Sequence, residues 1–260
     1  MKRSPHSLTL PVDMHPNFSL CLIWLFLGMT SVFANDFHQA NEQFKTGDFT
    51  AAAASYEKIL TAEGPRAEVF YNLGNSYQQL KQYGPAILAY ERAVLLTPRD
   101  PALLANLALA RKAAAISQQS GPYPRLDGVL NYLSRNEWSW LVAGGALFLG
   151  GLAVACGAVK LPRQWVLGFA GFAGICIITG ATALYLRRAE TGRGVILASD
   201  AAVRLSPFEK AESLGTVSVG RIIRLGVKNG NFRYIEVPGT SLSGWLADKD
   251  VAGVAPEILR

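Results

Sequence analysis

Two stretches without a charged side chain, Trp138–Val159 and Gln164–Leu186, constrain this chain more than any other feature. A helix rises about 1.5 Å per residue, so runs of about 22 residues span roughly 33 Å, enough to cross a bilayer core. Lys160, Leu161, Pro162 and Arg163 between them leave room only for a tight connection. Trp138, Trp140, Trp165 and Tyr185 lie at the ends, where aromatic side chains settle at a membrane–water interface. A helix in a soluble core seldom stays uncharged on every face for so long. The expectation is a transmembrane helical hairpin over 138–186. Two crossings return the chain to the side it left, so whatever precedes and follows the hairpin shares one side of the lipid bilayer.

Charged residues make up 17% of the chain against roughly 25% in soluble proteins, a deficit the apolar runs explain. The formal net charge is +6, but the bases are scattered or flank the apolar runs, as Arg187 and Arg188 do. No Lys/Arg stretch interleaved with aromatics suggests nucleic acid. Cys21, Cys156 and Cys176 all fall in apolar segments, which argues against a disulfide framework and against a thiolate zinc site.

Lys2 and Arg3 precede an apolar run from Phe18 to Phe33, and Val32 and Ala34 supply the small residues of a cleavage point. This pattern predicts a signal peptide over 1–34, with an uncleaved anchor as the alternative. Either way the remainder is exported, with both soluble parts on the periplasmic side of a bacterial inner membrane. Lys160 and Arg163 in the connection agree with a cytoplasmic loop, whereas Arg187, Arg188 and Arg193 argue for the opposite orientation.

Between 35 and 117 the sequence repeats. Gly47-Asp48-Phe49, Ala52 and Tyr56 recur as Lys81-Gln82-Tyr83, Ala86 and Tyr90, a step of 34 residues. The second unit continues with Phe70, Leu73, Gly74 and Tyr77, then Ala93 and Pro98. Large residues at i, i+3 and i+7 face a neighbouring helix, the small ones permit close approach, and Pro98 stops the second helix. This pattern resembles the tetratricopeptide repeat, a pair of amphipathic helices. Pro101–Ser117 reads as the first helix of a third unit and as the cap of the array. The resemblance implies a groove that holds a peptide of a partner protein. Its candidate lining is Asn41 and Asn75, Asn72 and Asn106, each pair one step apart, with Tyr71. Asparagine both donates and accepts, which suits a peptide backbone, but it suits bonds between turns of the repeat equally. Phe37, Tyr71 and Ala105 stand where family members that grip a terminal carboxylate carry Lys and Arg.

Residues 118–137 begin with the linker Gln118–Pro124, followed by Leu126, Val129, Leu130 and Leu133 at amphipathic helical spacing. That helix would lie on the membrane surface or pack on the last repeat helix. Within the hairpin, Gly168, Gly171, Gly174 and the pair Gly151 and Ala155 are the expected points of helix contact.

From 194 to 258 the texture becomes short and β-rich. Val195–Leu197, Val203–Leu205, Ile222–Leu225 and Phe232–Val237 read as strands, with Asn229-Gly230 as a hairpin turn. Ala202-Val203-Arg204, Pro207, Gly220, Asn229-Gly230 and Gly244-Trp245-Leu246 resemble a bacterial SH3-like domain. The resemblance implies a small all-β barrel whose aromatic groove, here Phe232, Tyr234 and Trp245, binds peptides or peptidoglycan. The plainer alternative is that Trp245 fills the barrel wall.

The whole order is a multi-domain chain of α-helical repeats, transmembrane hairpin and SH3-like barrel. It resembles the E proteins of the Bacteroides aerotolerance operon, on the second repeat (Phe70 to Pro98), Asn136-Glu137-Trp138 and the Val203–Trp245 domain. That resemblance implies a scaffold working with von Willebrand factor A-type membrane proteins in an envelope or oxidative-stress role. Catalysis is not expected. The histidines are His6, His15 and His38, the first two ahead of the cleavage point, and no zinc-protease, phosphate-loop or CxxC motif occurs. No cofactor or metal is implied.

Overall fold

The computed structural model describes residues 36–116, 127–130, 132–159, 161–188 and 192–255. The expected signal peptide and the expected linker Gln118–Pro124 lie outside the described residues.

The repeat region is a stack of antiparallel helices: α1 (36–45), α2 (Phe49–Glu63), α3 (Ala67–Gln79), α4 (Tyr83–Leu96) and α5 (Pro101–Ala113). Local chemistry sets the boundaries. The Asp48 carboxylate accepts from the Ala51 amide at the start of α2, and Asp100 does the same for Ala102 and Leu103 ahead of Pro101 in α5. Three turns share the left-handed conformation, at Gly47 (φ 85°), Lys81 (φ 59°) and Ala115 (φ 56°). These positions are one 34-residue step apart, so the backbone repeats even where glycine does not. Inside the second unit Gly74 is where the helices touch: a Cβ there would meet the Tyr90 ring at 2.5 Å.

Two long helices follow a single turn, α6 (Asp127–Leu130). They are α7 (Arg135–Ala158) and α8 (Arg163–Leu186), of mean hydropathy 2.0 and 1.9, each long and apolar enough to cross a membrane. A capping box opens α7: Glu137 N–H donates to Ser134 Oγ, and Ser134 N–H donates to the Glu137 carboxylate at 2.7 Å. Of the amphipathic helix expected before the hairpin, the described residues show that one turn, and Leu126 lies outside them. Val129 is exposed, while Leu130 is buried against Trp138, whose Nε1–H donates to the Leu130 carbonyl. The helix contacts also differ from expectation. Gly151, Gly168, Gly171 and Gly174 have no neighbour where a Cβ would stand; the close approaches are Gly145 on Ile177 and Gly180 on Val142. The glycine spacing of one helix cannot reveal which face its neighbour meets.

The C-terminal region is an antiparallel sheet: β1 (Arg193–Ile196), β2 (Ala201–Arg204), β3 (Ser213–Val217), β4 (Ile222–Asn229), β5 (Phe232–Glu236), β6 (Ser243–Ala247) and β7 (Val251–Gly253). Its order is β3-β2-β6-β5-β4-β1-β7. The expected barrel is not closed by hydrogen bonding; β3 and β7 are the edges of an open sheet. One face of every strand nevertheless meets in a single core, including Ile196, Val203, Val217, Ile223, Ile235, Leu246 and Val251. The β4–β5 turn sits one residue later than expected. Asn229 pairs with Phe232 and only Gly230 has positive φ, so the loop is Gly230-Asn231 with glycine first, as a type II′ turn requires.

The repeats and the sheet do not stand apart. Val195, Ile222 and Val254 belong to the same apolar core as Ile87, Leu88 and Leu107 of α4 and α5. Gly84 at the start of α4 abuts the Ile196 carbonyl, and Gly220 abuts Ile87 and Ile116. At this junction Glu91, 4% exposed, accepts from Arg111 of α5 and, at 2.9 Å, from Arg193 of β1. Arg92 donates to the Gly253 carbonyl of β7 at 3.0 Å. The array is therefore closed on this side by the sheet, and not by α5 alone. Glu91→Ala leaves two arginines facing each other without their shared carboxylate. It is expected to destabilise the fold by about 3–5 kcal/mol. Thermal melts followed by helix and strand signals together should shift as one transition.

Candidate functional site

The groove candidates converge, and they do so on one another. Asn41 Oδ1 accepts from the Tyr56 hydroxyl at 2.6 Å and from Asn72 Nδ2 at 3.1 Å. One step on, Asn75 Oδ1 accepts from Tyr90 at 2.7 Å and from Asn106 Nδ2 at 2.9 Å. The two rungs are the same device: 41, 56 and 72 each plus 34 give 75, 90 and 106. Within a rung, a first helix is tied to its own second helix through tyrosine and to the next first helix through asparagine. Asn106 Nδ2 also donates to the Tyr71 hydroxyl at 3.0 Å, and Gln78 Oε1 lies 3.0 Å from the Tyr90 hydroxyl, whose one proton it shares with Asn75. Phe37, one step before Tyr71, has no hydroxyl to offer, so the first rung lacks that bond.

This geometry favours the bond between repeat units for each asparagine's bonded atoms. It also fixes the amides: with Oδ1 of Asn41 and Asn75 doubly engaged, the direction of each Nδ2 is set. All four asparagines and Tyr71 are half-buried. Tyr56 and Tyr90, read in the sequence only as repeat markers, are the hydroxyl donors; their recurrence at the same step is the signal that pairs them with the asparagines. Burial raises the Tyr56 phenol from 10.0 to about 12, and raises Tyr90 as well.

The second set lies elsewhere, on the outer face of the sheet. Trp245 of β6 pairs in register with Tyr234 of β5 on one side and Arg204 of β2 on the other. The Tyr234 and Trp245 rings meet edge to face at 5.5 Å between centroids, and both side chains are half-buried. Phe232 is buried two residues from Tyr234. It lines a depression of about 800 Å³ with Arg204, Glu209, Lys249 and Asp250. Beside it Asp248 accepts from Arg233 at 2.7 Å and pairs with Lys228 at 2.5 Å, which holds its carboxyl below the usual range. The core of the sheet is on the opposite face, so Trp245 does not fill the interior. Among the described residues no cluster of three His, Cys, Asp or Glu side chains is placed to hold a metal ion.

A tetratricopeptide repeat family model matches residues 67–100, which are α3, α4 and the turn into α5. No curated protein matches the chain.

Tyr90→Phe removes the hydroxyl that donates to Asn75 beside Gln78 and is expected to cost about 1–3 kcal/mol, measured by denaturant unfolding. The raised Tyr56 phenol gives a second outcome. Its stabilising effect is full below pH 10.0, where the unfolded tyrosine also keeps its proton, and is lost as pH rises through about 12. Tyr56→Phe should flatten the fall in stability across that window.

Proposed function

We propose that the protein is a non-catalytic, membrane-anchored adaptor that binds protein partners through its repeat region. The observation that carries this reading is the two-rung array of identical asparagine–tyrosine ties, whose matched repeat belongs to a family of protein-binding modules. A groove held rigid by its own hydrogen bonds loses little conformational freedom when a peptide is bound.

The two apolar helices support anchoring. Trp138 of α7 abuts Gly180 of α8, and Arg187 donates to the Leu133 carbonyl at 2.7 Å, so the start of α7 and the end of α8 lie side by side. The repeats and the sheet share a core, and Arg99 ties the repeats to Glu137 at the start of α7 at 2.6 Å. These contacts fit both soluble parts standing at one end of a hairpin. The signal-like N-terminal sequence supports the reading that this end faces the periplasm at an inner membrane. The order of segments further supports an aerotolerance E-like scaffold in envelope or oxidative-stress assemblies, with von Willebrand factor A-type membrane proteins as partners.

A second reading is favoured by Trp245, Tyr234 and Arg204. A half-exposed aromatic pair beside a guanidinium is suited to stack on and bond a sugar–peptide ligand, so the sheet would hold peptidoglycan.

Protease protection in spheroplasts should show both soluble parts digested from outside. Affinity purification of the full chain should recover von Willebrand factor A-type proteins. Leu109→Glu, placed one step after Asn75 on the exposed end of the groove, should reduce that recovery at least tenfold. Recovery unaffected by the substitution counts against the groove. Sedimentation with purified cell wall, abolished by Trp245→Ala, would favour the second reading instead.

A further inference from the structure

The 34-residue step marks a helix seat that is filled twice and, among the described residues, is unfilled the third time. In the second unit Phe70 and Gly74 of α3 lie beneath α4, with Phe70 only 3% exposed and the Tyr90 ring on the Gly74 backbone. In the first unit Ala40, at the place of Gly74, is fully buried in one cluster with Tyr56 of α2. One further step leads from Phe70 to Leu104 and from Gly74 to Ala108, both on α5. Leu104 is 43% exposed and Ala108 is exposed. The other side of α5 is satisfied, since Leu103, Leu107 and Ala110 are buried in the core shared with α4. The sheet approaches this helix at Arg111, which shares Glu91 with Arg193, and just past its end at Ala114 and Ile116.

The same step puts the second helix of this third unit at 117–130. That span carries Gly121, Pro122 and Pro124, and proline within a helix removes a ladder bond and clashes with the preceding turn. Its last turn, α6, packs on Trp138 instead. The chain's own continuation is therefore unsuited to the seat.

We propose that Leu104 and Ala108 form a docking seat for one α-helix of a protein partner, which completes the third repeat in trans. The α3–α4 interface, continuous with this seat along α5, is the template for what fits. The incoming helix lays an aromatic or branched side chain over Ala108, as Tyr90 lies over Gly74. It differs in one respect. Tyr56 and Tyr90 each give their hydroxyl to an asparagine, and the next position of that series is Leu109. A leucine accepts no hydrogen bond, so the ring over Ala108 is apolar: phenylalanine or leucine is accepted and tyrosine is not. This inference goes beyond the adaptor reading and does not rest on the groove.

The test uses the full chain in nanodiscs and, as probe, a fluorescent synthetic peptide of residues 82–99 carrying Tyr90→Phe. Anisotropy should show saturable binding, about tenfold weaker for the same peptide with its native tyrosine. Leu104→Glu and Ala108→Trp, which alter an exposed seat, should each weaken binding at least tenfold while the melting curve stays in place. Absence of saturable binding overturns the proposal, as does binding that neither variant changes. Two further results overturn it by assigning another occupant: disulfide linkage of two copies through Leu104→Cys, or quenching of a fluorophore at that cysteine by brominated lipid.

Discussion

The Glu91 carboxylate, out of water between Arg111 and Arg193, is the contact on which the arrangement of this molecule depends. A buried carboxylate without partners costs several kcal/mol, and two partly buried guanidiniums facing each other without it repel. The carboxylate is tolerated there because both arginines are in place. One comes from α4, one from α5 and one from β1. The triad therefore makes the position of the sheet on the helices specific, while Val195, Ile222 and Val254 supply the apolar area beneath it. Apolar residues of the same volume would bury well too, but they would not specify the register of strand on helix so sharply.

That junction changes how the repeats are understood. A short helical array has an exposed apolar end and needs a cover. Here the sheet covers the side formed by α4 and the end of α5, and Gly84 and Gly220 allow the backbones to approach closely. The same region is tied to the hairpin through Arg99 and Glu137. Repeats and sheet are thus joined by one apolar core, and the exposed Arg99–Glu137 ion pair connects them to the start of α7.

Much of this was legible in the residues. The step of 34 foretold the helix pairs, because Gly74, Ala86 and Tyr90 report a helix–helix contact by size alone. The two uncharged runs foretold α7 and α8, and β-branched clusters foretold β1, β2, β4 and β5. What sequence reasoning missed depends on partners distant in the chain. Ser213–Val217 carries few strand-forming residues and becomes an edge strand through β2. Arg193, read as a membrane-flanking charge, is half of the Glu91 clamp. The asparagines were found by their spacing, but spacing does not reveal that tyrosine hydroxyls one helix away already engage them. Gly145 and Gly180 look no different in sequence from Gly168 or Gly171; only the mutual rotation of the two helices selects them.

Amide hydrogen exchange on the full chain in nanodiscs tests the shared core most directly. The account predicts that the slowest amides of α4 and of β1 open together, with the same free energy and the same response to denaturant. Strand amides that exchange through a separate, lower-energy opening while α4 stays protected would contradict it.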